Sequence, residues 1–428
     1  MSAAWLLGRG HDVTLYEKDA RIGGHSNTVE VATASGPVAV DTGFIVFNER
    51  TYPNLVALLK HLGIATKPSD MSFGVSLDGG RTEYSSVSAG AFLGGGRNLL
   101  SARFWSMLLD LVRFYRQAPS DLPALRRSML SLGAYLDRHK YGEAFQRDHL
   151  LPQAAAIWSA PLAAIRDYPA CAFVQFFENH ELLKLGQRAT WRTVEGGART
   201  YVKALTAPYA SRLRLGRGVA SIRREGGAVW VRDCGGGVER FNAVVIATHA
   251  DSALKMLDDP SAEERELLGA FRYSKNQAVL HTDPSMMPRT RKQWASWNYV
   301  GDDPERGCVV SYWMNLLQSL PCEEQIFLTL NPQRAPRDEA VLYQTEYEHP
   351  LFDARALRAQ RRLWTLQGVR ETWYCGAHFG AGFHEDGLQA GLAVAEQLGG
   401  LKRPWTVEGE SGRIPLGSAP HPLLERVA

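Results

Sequence analysis

Residues 1–25 read MSAAWLLGRGHDVTLYEKDARIGGH, and this stretch decides the fold. Ser2 to Gly8 carries the apolar spacing of a short helix, and the Gly8-Arg9-Gly10 turn suits a helix C-terminus. Asp12–Glu17 follows as a run of β-formers closed by an acid, which reads as a buried parallel strand. Helix, turn and strand in this order are the second half of a βαβ unit, so a strand is expected ahead of the helix. On that reading Met1 is an internal residue of the unit. The alternative is a protein that has dispensed with the element.

Working outward, VEVATASGPVAVDTG (29–43) predicts a hairpin turning at ASGP. From Tyr52 to about residue 190 the apolar residues recur every three or four positions. YPNLVALLKHLG (52–63), LLSARFWSMLLDLVRFYRQA (99–118), SMLSLGAYLDRHK (128–140) and ACAFVQFFENHELL (170–183) therefore form a helix-rich insertion. Strands return in LRLGRGVASIRRE (213–225), AVWVRD (228–233) and NAVVIATHA (242–250), the last apolar enough for burial on both faces. QAVLHTD (277–283), SWNYVGD (296–302), CVVSYWMNLL (308–317) and QIFLTLNP (325–332) predict an antiparallel platform. The segment from Thr372 to Gly400 gives a short strand, a glycine-rich loop and a helix beginning near Gly387, before a tail without period.

Bulk properties narrow the classes. The 48 basic and 45 acidic residues leave a net charge of +3, which gives no electrostatic case for nucleic acid. Cys171, Cys234, Cys308, Cys322 and Cys375 are odd in number and far apart, so a disulfide framework is not expected and a reducing cytoplasm fits best. Neither an apolar run of eighteen residues nor a basic segment leading into an apolar one is visible, and a soluble protein is expected.

Two glycine-rich segments carry chemistry. Glu17 ends a strand and Gly23-Gly24 sits in the next loop; a carboxylate there can accept both hydroxyls of a ribose, and paired glycines let backbone amides approach a pyrophosphate. An exposed strand-end acid and a plain turn are the bland reading. CGAHFGAGFHEDGLQAG (375–391) runs into a helix whose free amides suit a phosphate or an electron-rich ring edge. Its bland reading is a tight loop with a helix capped by Asp386. Cys375, His378 and His384 have loosely metal-like spacing, but no second pair completes a site, and no metal is expected.

Together with WSAP (158–161), VQFFENHELL (174–183), WRTVEGGA (191–198) and YWMNLLQ (312–318), these segments make the chain resemble the flavin-dependent amine oxidase and phytoene desaturase superfamily over nearly its whole length, and within it the bacterial predicted NAD/FAD-binding oxidoreductases. The resemblance implies an α/β fold. A glutathione-reductase-type, Rossmann-like FAD-binding domain, N-terminally truncated, would be built from residues 1–50, 191–270 and 356–402. An interleaved α+β substrate domain would take 51–190 and 271–355, and 403–428 would be a C-terminal tail. It also implies a flavoprotein enzyme, an FAD-dependent oxidoreductase.

Carried over by position, the resemblance places Glu17 at the adenosine ribose and Arg21, Gly23 and Gly24 at the pyrophosphate. Val219 would meet the adenine through its backbone. Gly376 and Ala377 match a Gly-Asp pair whose acid is absent here, and Gly387 and Leu388 open the helix facing the flavin. His25 stands where many relatives carry arginine. Gln277 falls where amine oxidases carry a lysine near the flavin, with Lys275 two residues earlier; both are catalytic candidates, against the bland reading of a solvated strand-end lysine. Phe173, Phe176, Phe177, Trp294, Trp297, Tyr299, Tyr312 and Trp313 are expected mostly in the core, with some lining an apolar pocket that favours a lipid-like substrate. Residues 98–115 read first as a buried cap helix and second as a segment resting on a membrane. Amine oxidase, flavin-dependent isomerase and flavin-free homologue stand as alternatives to a dehydrogenase or desaturase of an apolar substrate.

Overall fold

The computed structural model describes residues 1–184, 190–301 and 309–417; Cys308 and residues 418–428 of the tail lie outside these. The helix Ser2–Leu7 lies on the helix His384–Gly399 so closely that a Cβ on Gly391 would stand 2.2 Å from the Ser2 hydroxyl oxygen. Glycine is therefore the residue that lets these helices approach. Leu6 at this contact is fully buried, worth about 1.5–3 kcal/mol of transfer energy.

Beside the helices lie two parallel strand pairs, Leu15–Tyr16 with Leu213–Arg214 and Val244–Ile246 with Thr372–Tyr374. A cavity of about 2430 Å³ runs between them. Leu15, Tyr16 and Val244–Ile246 face it, while their outer partner strands do not. The expectation that 242–250 is buried on both faces is corrected by this arrangement: Val244 and Val245 are half-buried because one side opens on the cavity. A three-stranded antiparallel meander, Val219–Glu225, Ala228–Asp233 and Val238–Phe241, joins the two pairs in sequence. The predicted hairpin is present as Thr28–Thr33 against Gly36–Asp41.

Above the cavity stands a seven-stranded sheet. Its order is Val341–Leu351, Arg272–His281, Phe327–Leu330, Val310–Trp313, Trp297–Gly301, Phe73–Leu77 and Thr82–Ser85. The platform expectation is corrected in two ways. Two of its strands come from the insertion read as helical, and one of them, Phe73–Leu77, runs parallel to Trp297–Gly301 with Phe73 opposite Trp297. Five-residue runs such as FGVSL are too short for periodicity to separate strand from helix. The sheet's edge strand, Val341–Leu351, adds to the expected platform; it alternates half-buried and exposed residues over Val341–Glu346.

The long helix Ala102–Ser128 buries Phe104, Met107, Leu111 and Phe114, and continues past the expected end through Pro119 and Pro123. It packs on Ala170–Asn179, and Phe114, Phe145, Phe173 and Phe177 are completely enclosed there. Among the described residues no helix is long and apolar enough to cross a membrane.

Candidate active site

Glu17 is set at the end of its strand by two backbone bonds: its N–H donates to the Arg214 carbonyl at 3.0 Å, and its carbonyl accepts the Arg217 N–H at 2.9 Å. Its carboxylate lines the cavity and accepts the Asp19 N–H at 3.1 Å. The following loop turns at Gly23 and Gly24, with φ of 129° and 55°. Arg21 reaches back across it, one guanidinium nitrogen donating to the Gly24 carbonyl at 2.8 Å while Nη1 is buried without a partner. Opposite, Gly376 and Gly387 line the same cavity with Leu388, and Val219 lines it too. All eight positions expected at the cofactor, from three separate stretches of chain, thus meet on one cavity. The helix begins at His384 rather than near Gly387, and Asp386 caps it by accepting the Phe383 N–H at 2.8 Å, held from behind by Arg413.

The two catalytic candidates separate. Gln277 is exposed and absent from the cavity wall, its backbone paired with Asn331. Lys275 reaches the wall, but its ammonium group pairs at 2.9 Å with Glu346, and both side chains are largely solvated. Of the expected aromatics, Phe176, Trp297 and Tyr312 line the cavity. Phe173, Phe177 and Tyr299 are core, and Trp294 packs with Trp313 against Phe327.

Sequence reasoning missed a polar centre built across long distances. The hydroxyls of Ser26 and Tyr201 lie 2.5 Å apart, and the Tyr201 hydroxyl is 3.1 Å from His384 Nε2, whose ring stacks on Phe44. Asn27 Nδ2 donates to Tyr347 at 2.9 Å and to Tyr343 at 3.2 Å, and the Tyr347 ring stacks on His25, which also meets His349 edge-on. His249 pairs with Glu348 at 3.1 Å and stacks on Tyr273. Burial draws His25 and His384 down to about 4 and His349 and His378 to about 3, so these imidazoles are neutral at pH 7. The one available signal was the polar and aromatic run Thr345–Pro350, all six residues of which line the cavity. Cys375, His378 and His384 do not converge on a cation site; among the described residues no three His, Cys, Asp or Glu side chains do.

A strand-end acid, a glycine turn and a helix N-terminus around one cavity beneath a β-platform define a flavin-binding fold of the glutathione-reductase type. The chain belongs to the flavin-containing amine oxidoreductases, whose family pattern matches residues 1–284. Solved structures of the same fold include cyclohexylamine oxidase from Brevibacterium oxydans IH-35A, with TM-score 0.66 and 17% identity over 92% of this chain and 96% of that one. A fatty acid isomerase from P. acnes superposes with TM-score 0.61 and 15% identity, covering 91% and 95%. A putative protoporphyrinogen oxidase from Exiguobacterium sp. 255-15 gives 0.64 and 14%, covering 92% and 95%. Among curated proteins no sequence matches.

Family membership makes the cofactor FAD, and the residues present fit it. The cavity is more than twice the roughly 300–1,000 Å³ of an ordinary ligand pocket, room for a dinucleotide and a substrate together. Its wall also holds Arg21 Nη1, His25 Nε2 and His378 Nε2 buried without hydrogen-bond partners. Glu17→Ala is expected to weaken FAD binding by about 1.5–3 kcal/mol, the scale of hydrogen bonds to a charged group. Titration of flavin fluorescence checks it, and unchanged affinity removes Glu17 from the site.

Proposed function

We propose that this flavin-containing oxidoreductase takes a hydride from an apolar, acyl or lipid-like substrate. Residues 1–50, 191–270 and 356–402 hold the cofactor, and 51–190 with 271–355 hold the substrate. The observation that carries the reading is the part of the cavity between the platform and the helical insertion. Phe73, Phe92, Leu108, Leu111, Ile157 and Phe176 wall it, with no carboxylate among them to hold an ammonium group. Asp70 does line the cavity, but it is exposed and already accepts the hydroxyl of Ser296 at 2.7 Å and the Ser72 N–H at 2.9 Å. A chain in such a space is bound through buried area, at roughly 0.8 kcal/mol per methylene.

Bound flavin supplies the two-electron acceptor. The protein's own residues orient the substrate and exclude water. Tyr201 links the Ser26 loop to His384 at the start of the last helix, and the neutral imidazoles of His25 and His349 offer hydrogen bonds without an added charge. The fold shared with a fatty acid isomerase from P. acnes supports an acyl substrate, and that shared with cyclohexylamine oxidase from Brevibacterium oxydans IH-35A supports the second reading, amine oxidation. The test is anaerobic mixing of the FAD-loaded protein with bacterial lipid extract or with an amine panel, watched in the flavin absorbance. Bleaching by lipid is expected. Bleaching by amines alone overturns the reading, and lipid turnover without net oxidation points to an isomerase.

A further inference from the structure

Exposed large apolar residues are unevenly placed on this molecule. Of the ten among the described residues, five fall within Val87–Leu109: Val87, Leu99, Leu100, Trp105 and Leu109. Leu100 is 92% exposed and Leu109 71%, where a stray surface leucine is normally half-covered by its neighbours. The Trp105 indole donates to the Leu99 carbonyl at 2.9 Å, which joins the pre-helix loop to the outer face of the Ala102–Ser128 helix as one surface. Trp105, Leu109, Val112 and Arg116 follow one another at helical spacing on that face, opposite the buried Phe104, Met107, Leu111 and Phe114.

Arginines frame the patch. Arg97, Arg113 and Arg116 are exposed around it. Arg113 is paired with Asp110 at 3.0 Å, whereas Arg97 and Arg116 have no ion-pair partner among the described residues. Leu108 and Val112 tie the surface to the site, because each is half-buried and forms part of both the outer groove of this helix and the interior cavity.

We propose that this face, Leu99–Leu100 with the outer side of Trp105–Arg116, docks on an anionic lipid bilayer. Leucine and tryptophan enter the boundary between headgroups and acyl chains while the arginines meet the lipid phosphates. The apolar part of the cavity then opens toward the membrane past Leu108 and Val112, so the proposal rests on the acyl reading for its purpose but not for its test.

The purified protein is sedimented with vesicles of phosphatidylcholine alone or with about one-third phosphatidylglycerol. Binding is expected to the anionic vesicles, to fall steeply with salt as the arginine contribution is screened, and to be at least tenfold weaker for Leu100→Glu/Leu109→Glu. Both leucines face solvent, so unchanged thermal unfolding of the variant shows that folding is intact; the salt-sensitive binding of the unmodified protein stands as the test should the variant unfold. Failure of the unmodified protein to bind anionic vesicles, or equal binding by a folded double variant, overturns the proposal. Vesicle binding without flavin reduction by lipid keeps the docking surface and removes the acyl reading; flavin reduction by dispersed lipid without vesicle binding does the reverse.

Discussion

Glu264→Ala is expected to destabilise the protein by about 3–5 kcal/mol, the cost of breaking a buried ion pair, with the more exposed Asp259, 3.0 Å away, left as the acidic partner of Arg224. Arg224 and Glu264 have side chains 1% and 4% exposed, and Arg224 Nη2 donates to Glu264 at 3.0 Å. The Tyr374 hydroxyl donates to the same carboxylate at 2.5 Å, and the Ser261 N–H donates at 2.7 Å. Because Tyr374 ends the strand that runs into Gly376, the damage reaches the flavin wall. Burial pushes the Glu264 carboxyl up, but the bonds from Arg224, Tyr374 and Ser261 outweigh it and hold the group at about 2, against an ordinary 4.5. A depressed carboxyl contributes fully above its unfolded value and loses that contribution as pH falls through the folded one. The stability gap between the unmodified protein and Glu264→Ala should therefore be full above pH 4.5 and close toward pH 2, read by urea unfolding at a series of pH values. A constant gap across that range argues against the ion pair as its source.

Gly23→Ala is expected to cost about 1–3 kcal/mol in FAD affinity, a five- to 150-fold loss, with a smaller change in overall stability. Gly23 sits at φ 129°, where side-chain-bearing residues are strained, and a Cβ there would stand 2.6 Å from the Ser26 carbonyl oxygen. The loop must open, which displaces Arg21 and the Ser26 hydroxyl that meets Tyr201. Flavin fluorescence titration reads the loss. Full affinity in the alanine variant would show that the loop has slack which its geometry does not suggest.

That the strand-end acid, the glycine turn and the last helix share one cavity was legible because these signals are local. An acid at a strand end, two glycines in the next loop and a helix start are each contained in a few residues, and Glu17, Gly23, Gly24, Gly376 and Gly387 all reach the cavity. The substrate side was not. Phe73–Leu77 and Thr82–Ser85 are too short to carry a period, and Val341–Leu351 lies at the sheet edge with Gln344, Glu346 and Glu348 breaking any apolar run. Lys275 and Gln277 are two apart on one strand and share a face, so alternation does not choose between them, and neither places a free side chain in the cavity. The Ser26–Tyr201–His384 contact joins positions up to 358 residues apart in the chain, where no pattern in a window of sequence points.

That same contact bears on the order of assembly. A wall drawn from stretches between residues 15 and 388 is complete only when the last strand and helix, Thr372–Gly399, are in place. A chain still emerging from the ribosome lacks the parts of the wall from 345–350 and 375–388, and high sequence separation of this kind slows folding. FAD can then act only on the finished molecule, where it shifts the balance between native and unfolded chains by about 2.7 kcal/mol at a hundredfold excess over its dissociation constant. Cellular riboflavin supply would thereby set how much of this protein escapes proteolysis.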